Sequence, residues 1–133
     1  MIQDLRPQAK PSYILIVDDE PSIALTFQRA LQLLTNHNII IATDGYQALR
    51  LFEQIPFDVI TLDNHMPGMD GITLAKEIRK RSSQVRMMMV TTVTEEGLYQ
   101  YIDNILIQKL LTKPVMIGDF LEAILQLLPQ EVY

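Results

Sequence analysis

The chain has 133 residues, no cysteine and a formal net charge of −5 at pH 7. This length suits one domain, and the lack of cysteine excludes disulfides, thiolate metal sites and cysteine nucleophiles. The acidic balance argues against nucleic-acid binding as the main function. Its longest runs of aliphatic residues and methionine span four positions, as in 14–17 and 87–90, whereas a membrane helix needs roughly 20. We therefore expect a cytoplasmic protein without a membrane segment.

The two ends of the chain differ from its middle. Residues 1–11 are polar, contain Pro7 and Pro11, and lack the apolar stretch of a secretory signal. We expect a flexible lead-in at 1–11, one folded domain at 12–129 and a short tail at 130–133.

Between these ends, short apolar segments alternate with segments that have helical spacing. Strands are predicted at 13–17, 38–42, 58–63, 86–91 and 108–112. Helices are predicted from Ile23 to near Thr35, through Ala48 and Phe52 to near Ile55, through Leu74 and Ile78, over 94–104, and from Phe120 to Leu128, with a turn at Asp44-Gly45. The basic stretch 79–81 is predicted to be a solvated helix end. This order predicts a doubly wound, flavodoxin-like α/β fold: a five-stranded parallel sheet with strand order 2-1-3-4-5.

In such sheets, ligands bind beyond the carboxyl ends of the strands, where the strand order reverses. The polar residues that follow four of the predicted strands are Asp18 and Asp19, Asp63, Thr91, and Lys113. Because strands one and three are neighbours, three carboxylates should converge, and their mutual repulsion favours a bound cation. Mg²⁺ prefers oxygen ligands and also binds phosphate oxygens. Without cysteine or paired histidine, zinc is disfavoured.

Each of these residues also has an ordinary structural interpretation. The two acids after the first strand could cap the first helix, and Asp63 could open a turn with Asn64. Thr91 could be an ordinary strand residue, and Lys113 a surface lysine before a proline. Their joint placement at one edge of the sheet favours a shared site over four unrelated occurrences.

Four stretches, at 14–21, 63–71, 90–91 and 112–114, resemble the receiver domain of two-component response regulators. The resemblance covers about 13–128. It implies that Asp63 is the phosphoacceptor and that Asp18, Asp19, Asp63 and the backbone carbonyl of His65 hold Mg²⁺. It further implies that Thr91 and Lys113 contact phosphoryl oxygens, and that the bond before Pro114 is cis.

By this resemblance, the chain is expected to be a CheY-like, single-domain response regulator. It would accept a phosphoryl group from a sensor histidine kinase or a histidine phosphotransfer protein, and then switch binding to a protein target or relay the phosphate. It would catalyse only its own Mg²⁺-dependent phosphorylation and dephosphorylation. Because few residues follow Pro114, no output domain is expected, although a fragment of a longer protein would look the same. Two other interpretations stay open: a receiver-like adaptor that is not phosphorylated, and a small Mg²⁺-dependent phosphohydrolase.

The chain departs from the family pattern in places. Leu110 stands three residues before the lysine, where many receivers carry Tyr or Phe, and the usual Gly-Ala pair ahead of the fifth strand is missing. His65 and Val93 occupy positions that tune the lifetime of the acyl phosphate in the family. The side chain of His65 could be a metal ligand or a general base, but we expect it to face solvent.

Partner binding is expected on the face formed by the fourth helix, the fifth strand and the fifth helix, which the family uses for output or dimerisation. Tyr99 and Tyr101 lie in the predicted fourth helix and cannot both point inward. One of them could simply be exposed, or an exposed ring could belong to an interface. We expect a monomer or a weak homodimer.

Overall fold

A computed structural model describes residues 10–92, 96–101 and 106–129. Its strands are β1 (Tyr13–Val17), β2 (Asn38–Ala42), β3 (Val59–Asp63), β4 (Arg86–Thr91) and β5 (Lys109–Thr112). Its α-helices are α1 (Pro21–Leu34), α2 (Gly45–Gln54), α3 (Gly71–Arg81) and α4 (Ile117–Leu127), and a 3₁₀ helix covers Glu96–Tyr101. Apart from Lys10 and Pro11, the predicted lead-in lies outside the described residues, as does the predicted tail.

All five strands are parallel and lie in the order β2-β1-β3-β4-β5. This confirms the predicted α/β fold and strand order. The strands are short apolar runs because helices cover both faces of a parallel sheet. The register pairs Val17 with Leu62, Asp63 with Val90, and Thr91 with Thr112, which brings the carboxyl ends of four strands to one edge.

The core has two halves, one on each face of the sheet. On one face, strand residues such as Leu15 and Ile60 pack with α2 and α3. On the other, Ile14 and Ile16 pack with α1 and α4. The methionines at 87–89 are fully buried and alternate between the halves, which confirms them as core side chains.

The bounds of several predicted elements differ by one to three residues, and two elements differ in type. The predicted turn at Asp44-Gly45 is wrong, because Oδ1 of Asp44 accepts a hydrogen bond from the backbone N–H of Gln47 at 2.7 Å and caps α2, which begins at Gly45. Within the predicted helix at 94–104, the structure describes only residues 96–101, which form a 3₁₀ helix. No helix in the described part of the chain is long and apolar enough to cross a membrane.

Arg79 is half-buried, so the prediction of a solvated helix end is wrong for this residue. Its guanidinium donates to the carbonyls of Val85 at 2.8 Å and Leu106 at 2.9 Å. By contrast, Arg81 is exposed and pairs with Glu77 on the same helix. Arg79 therefore joins the end of α3 to the segments that lead into β4 and β5.

Candidate functional site

Three acidic side chains meet at the carboxyl edge of the sheet. Because Val17 pairs with Leu62, the residues that follow them, Asp18 and Asp63, lie at the same level of neighbouring strands. Asp18, Asp19 and Asp63 each offer one carboxylate oxygen, and the three oxygens lie within 4.8 Å of one another. Asp18 and Asp63 are buried, with 8% and 3% of their surfaces exposed. The convergence predicted from the strand ends is confirmed.

Specific donors hold these carboxylates in place. Oδ1 of Asp18 accepts from the backbone N–H of Glu20 at 2.9 Å, and Oδ1 of Asp63 accepts from that of His65 at 3.1 Å. The ammonium of Lys113 donates to Oδ2 of Asp63 at 3.0 Å. Glu20 is the N-terminal cap residue of α1, and among the described residues no side-chain hydrogen bond caps that helix. The capping interpretation of the acidic pair therefore fails, whereas the turn after Asp63 forms as part of the site.

The electrostatics of the cluster favour a cation. Burial raises the pKa of Asp18, and the negative charges of Asp63 and Asp19 raise it further, against the lowering effect of the Glu20 N–H. For Lys113, burial lowers the pKa, but the hydrogen bond to Asp63 and the charge of that carboxylate outweigh it, so the pKa is raised. One ammonium beside three carboxylates leaves negative charge uncompensated. An all-oxygen donor set of this kind fits Mg²⁺.

Thr91 ends β4 one residue beyond Val90, the partner of Asp63 in the register. It is 2% exposed, and its Oγ1 has no hydrogen-bond partner among the described residues. Leaving a buried hydroxyl unsatisfied costs about 1–3 kcal/mol. The carbonyl of Thr91 accepts from the backbone N–H of Lys113 at 2.6 Å. The peptide bond between Lys113 and Pro114 is cis, as the resemblance implied.

The acidic cluster borders open space. Asp18, Asp63 and Lys113 line a cavity of about 650 Å³, together with apolar side chains that include Ile23 and Phe27. The ring of Phe27 packs against that of Phe120, with 4.3 Å between centroids. Asp63 is therefore not sealed off by surrounding side chains, although little of its surface is exposed.

The structure separates some of the other predicted residues from the cluster. The side chain of His65 is exposed, as expected, and its backbone N–H is what contacts Asp63. The ring of Tyr101 is half-buried and lies 5.0 Å from Nζ of Lys76. The side chain of Tyr99 and all of Val93 lie outside the described residues.

Leu110, at the position of the missing aromatic residue, packs against the core half that contains α2 and α3. Asn64, which the sequence indicated only as a turn partner of Asp63, accepts a hydrogen bond from the backbone N–H of Ile72 through its Oδ1. The sequence feature that could have indicated this contact is an amide side chain placed between a strand and the start of the next helix.

Sequence comparison places the chain among known proteins. Residues 14–125 match the response regulator receiver domain. The transcriptional regulatory protein PhoP for alkaline phosphatase synthesis, from Bacillus subtilis (strain 168), is 37% identical over 83 residues, which are 62% of this chain and 34% of that protein. Protein-glutamate methylesterase/protein-glutamine glutaminase 2 of Rhizobium johnstonii is 43% identical over 93 residues, 67% of this chain and 24% of that protein. The chain thus spans about a third or less of the length of these relatives.

Solved structures agree with the sequence comparison. The chemotaxis protein CheY4 of Vibrio cholerae matches with a TM-score of 0.82 and 29% identity, over 90% of this chain and all of that one. The response regulator TrrA of Thermotoga maritima, in complex with Mg²⁺-BeF, matches with a TM-score of 0.75 and 27% identity, over 88% of this chain and 99% of that one. With the matched profile covering most of its length, the chain belongs to the family of response regulator receiver domains.

Proposed function

We propose that this chain accepts a phosphoryl group on Asp63 and that phosphorylation switches its binding to a protein partner. Receiver domains in general are signalling modules that interact with histidine kinases and downstream targets. The observation that carries the proposal is the gathering of Asp18, Asp19 and Asp63 at one edge of the sheet, with the ammonium of Lys113 on Asp63. An aspartate that accepts a phosphoryl group needs metal-binding carboxylates and a cation beside it, because phosphoryl transfer depends on positioning and charge neutralisation.

Asp18, Asp19 and Asp63, with the backbone carbonyl of His65, would hold Mg²⁺. When bound, the ion supplies positive charge that lets an anionic phosphoryl group approach the carboxylates. Uncompensated negative charge on the three acids and the raised pKa of Asp18 support this assignment. The match to TrrA, whose structure holds Mg²⁺-BeF, supports it independently.

In the proposed step, a carboxylate oxygen of Asp63 attacks the phosphorus of a phosphohistidine on a sensor kinase or histidine phosphotransfer protein. An acyl O–P bond forms and the N–P bond of the donor breaks, and its electron pair stays on the imidazole, which takes a proton from solvent. Lys113 donates to Asp63 before transfer and would pair with a phosphoryl oxygen afterwards. The buried hydroxyl of Thr91 would donate to another.

The consequence of phosphorylation would be a shift in the segments attached to Thr91 and Lys113, namely the ends of β4 and β5. The partner would then bind the face formed by the 3₁₀ helix, β5 and α4. A cytoplasmic location and action as a single domain, which binds a target or relays the phosphate, are part of this proposal.

The test is incubation with Mg²⁺ and acetyl phosphate, followed by mass spectrometry of the intact protein. We expect one phosphoryl group per chain, lost in Asp63→Asn and when a chelator removes the metal. Asp44→Asn is the matched control, because Asp44 caps α2 outside the cluster and asparagine preserves that bond to Gln47. An unmodified wild-type protein would support a pure adaptor instead, and repeated turnover of phosphate esters would support a phosphohydrolase.

A further inference from the structure

Asn64, at the end of β3, is hydrogen-bonded to β4 and to α3. Its backbone N–H donates to the carbonyl of Val90 at 3.3 Å, and its own carbonyl accepts from the N–H of Gly71 at 3.2 Å. Its side-chain Oδ1 accepts from the backbone N–H of Ile72 at 3.3 Å. The residue that follows the proposed phosphoacceptor is thus bound both to β4 and to the first turn of α3.

The contact between α3 and this segment is close. A Cβ atom on Gly71 would lie 2.7 Å from the backbone oxygen of Asp63 and 2.9 Å from Cα of Asn64. Such distances leave no space for a side chain on the first residue of the helix. Asp63, Asn64 and the start of α3 therefore pack backbone against backbone, and the side chain of Asn64 adds a hydrogen bond to the N–H of Ile72.

The backbone that follows Asn64 carries groups that the proposed chemistry uses. The N–H of His65 donates to Oδ1 of Asp63 at 3.1 Å, and the carbonyl of His65 is a proposed ligand of Mg²⁺. The positions of the N–H and the carbonyl of His65 both depend on the backbone conformation that follows Asn64. A residue without an acceptor would release the N–H of Ile72 and loosen this segment, while its backbone bonds to Val90 and Gly71 would remain.

Helix capping alone would not require Asn64. The N-terminal cap of α3 is Asp70, whose Oδ1 accepts from the N–H of Thr73 at 2.8 Å. Asn64 reaches the same turn from outside the helix, eight positions before Ile72. Its bond therefore links the helix to the phosphoacceptor segment, which the bond of Asp70 does not.

We infer that Asn64 is a positioning residue: its side chain holds the backbone of His65 in the place from which it serves Asp63 and the metal. The inference rests on the proposed function and adds a residue to it. Asp70 provides a matched comparison, because it accepts from the same helical turn without contacting the site.

The experiment compares Asn64→Ala with Asp70→Ala in the full chain. Thermal unfolding without metal measures the structural effect, and both variants should unfold at lower temperature. Calorimetric titration then measures the Kd for Mg²⁺. We expect this Kd to rise about tenfold in Asn64→Ala, the lower range for residues that orient metal ligands. In Asp70→Ala it should stay close to the wild-type value. Equal Mg²⁺ affinity in Asn64→Ala and wild type, or equal losses in both variants, would overturn the inference.

Asn64→Asp keeps an acceptor oxygen at the same reach and covers the case in which Asn64→Ala does not fold. Its added negative charge cannot weaken cation binding, so we expect Mg²⁺ to bind at least as tightly as in wild type. Weaker binding in Asn64→Asp would contradict the role of the acceptor. Labelling of wild type with acetyl phosphate is run in parallel. If wild type is not labelled, the proposed function fails, whereas the Mg²⁺ affinities still decide the role of Asn64.

Discussion

The ammonium of Lys113 lies 3.0 Å from Oδ2 of Asp63, although fifty positions of sequence separate the two residues. The pair is asymmetric, since 27% of the lysine side chain is exposed but only 3% of the aspartate side chain is. The cation can therefore leave for solvent or for a ligand, whereas the carboxylate cannot. This arrangement suits a lysine that first neutralises the acceptor and then follows an incoming phosphoryl group.

Replacing Lys113 with methionine should destabilise the metal-free protein by about 1–3 kcal/mol, below the cost of breaking a fully buried pair because the lysine is partly exposed. The raised pKa of Lys113 means that its contribution is complete below the ordinary lysine pKa and is lost as pH rises through the raised value. Urea unfolding with and without Mg²⁺ measures the effect, and Mg²⁺ should restore more stability to this variant than to wild type. Lys109→Met, which removes an exposed hydrogen bond to Gln126, is the control and should change little.

Asp18→Asn should stabilise the metal-free protein at neutral pH. The pKa of Asp18 is raised, first by burial, so the folded state binds the proton more tightly than the unfolded state. Wild-type stability should therefore fall as pH rises from about 4, the ordinary aspartate value, through the raised pKa. Asparagine keeps the acceptor for the N–H of Glu20 and removes this dependence. Unfolding curves at several pH values should show a difference between variant and wild type that grows with pH, and a constant difference would contradict the argument.

Thr91→Val should separate stability from function. Valine matches threonine in shape and removes a hydroxyl that is buried without a described partner, so thermal stability should stay the same or rise. Labelling by acetyl phosphate should slow by up to about a hundredfold, because a hydrogen-bond donor to the phosphoryl group is lost. Thr91→Ser, which keeps the hydroxyl, should label at close to the wild-type rate. A Thr91→Val protein that labels normally would show that the hydroxyl does not take part.

Gly71→Ala should destabilise the protein by about 1–3 kcal/mol, as overpacking does, because the new methyl group meets backbone atoms of Asp63 and Asn64 below 3.0 Å. No described atom lies within 4 Å of the Cβ position of Gly118, in the first turn of α4. Gly118→Ala should therefore stabilise by about 0.4–1 kcal/mol through loss of unfolded-state entropy. Denaturant midpoints measure both changes. Destabilisation by Gly118→Ala would refute the argument that the space around the Cβ position decides the sign of the change.

The sequence predicted most of the strands well, because a strand buried on both faces is a short apolar run with few competing interpretations. The bounds of β1, β2 and β4 agree with the prediction. The start of α2 was missed because Asp44-Gly45 reads as a turn until the cap bond to Gln47 is visible. At the fourth helical segment, Gly97 lowers helix propensity, and the described part is a 3₁₀ helix.

The gathering of the acids with Lys113 was predictable because strand order and strand ends alone place those residues at one edge. The contacts of Asn64 and Arg79 were not predictable in this way. Asn64 depends on the close packing of α3 onto the end of β3, and Arg79 reaches a carbonyl 27 positions away. Both are hydrogen bonds to backbone groups of other segments, which leave no periodic pattern in the sequence.

The backbone hydrogen bond from the N–H of Lys113 to the carbonyl of Thr91, 2.6 Å long, joins the two residues whose side chains would share the phosphoryl group. The bond links the end of β4 to the residue that follows β5. Substitutions at these two positions should therefore be non-additive in a double-mutant cycle, because a backbone shift at one position displaces the other. A conformational change on phosphorylation would therefore be transmitted through the ends of β4 and β5 together and not through a single side chain.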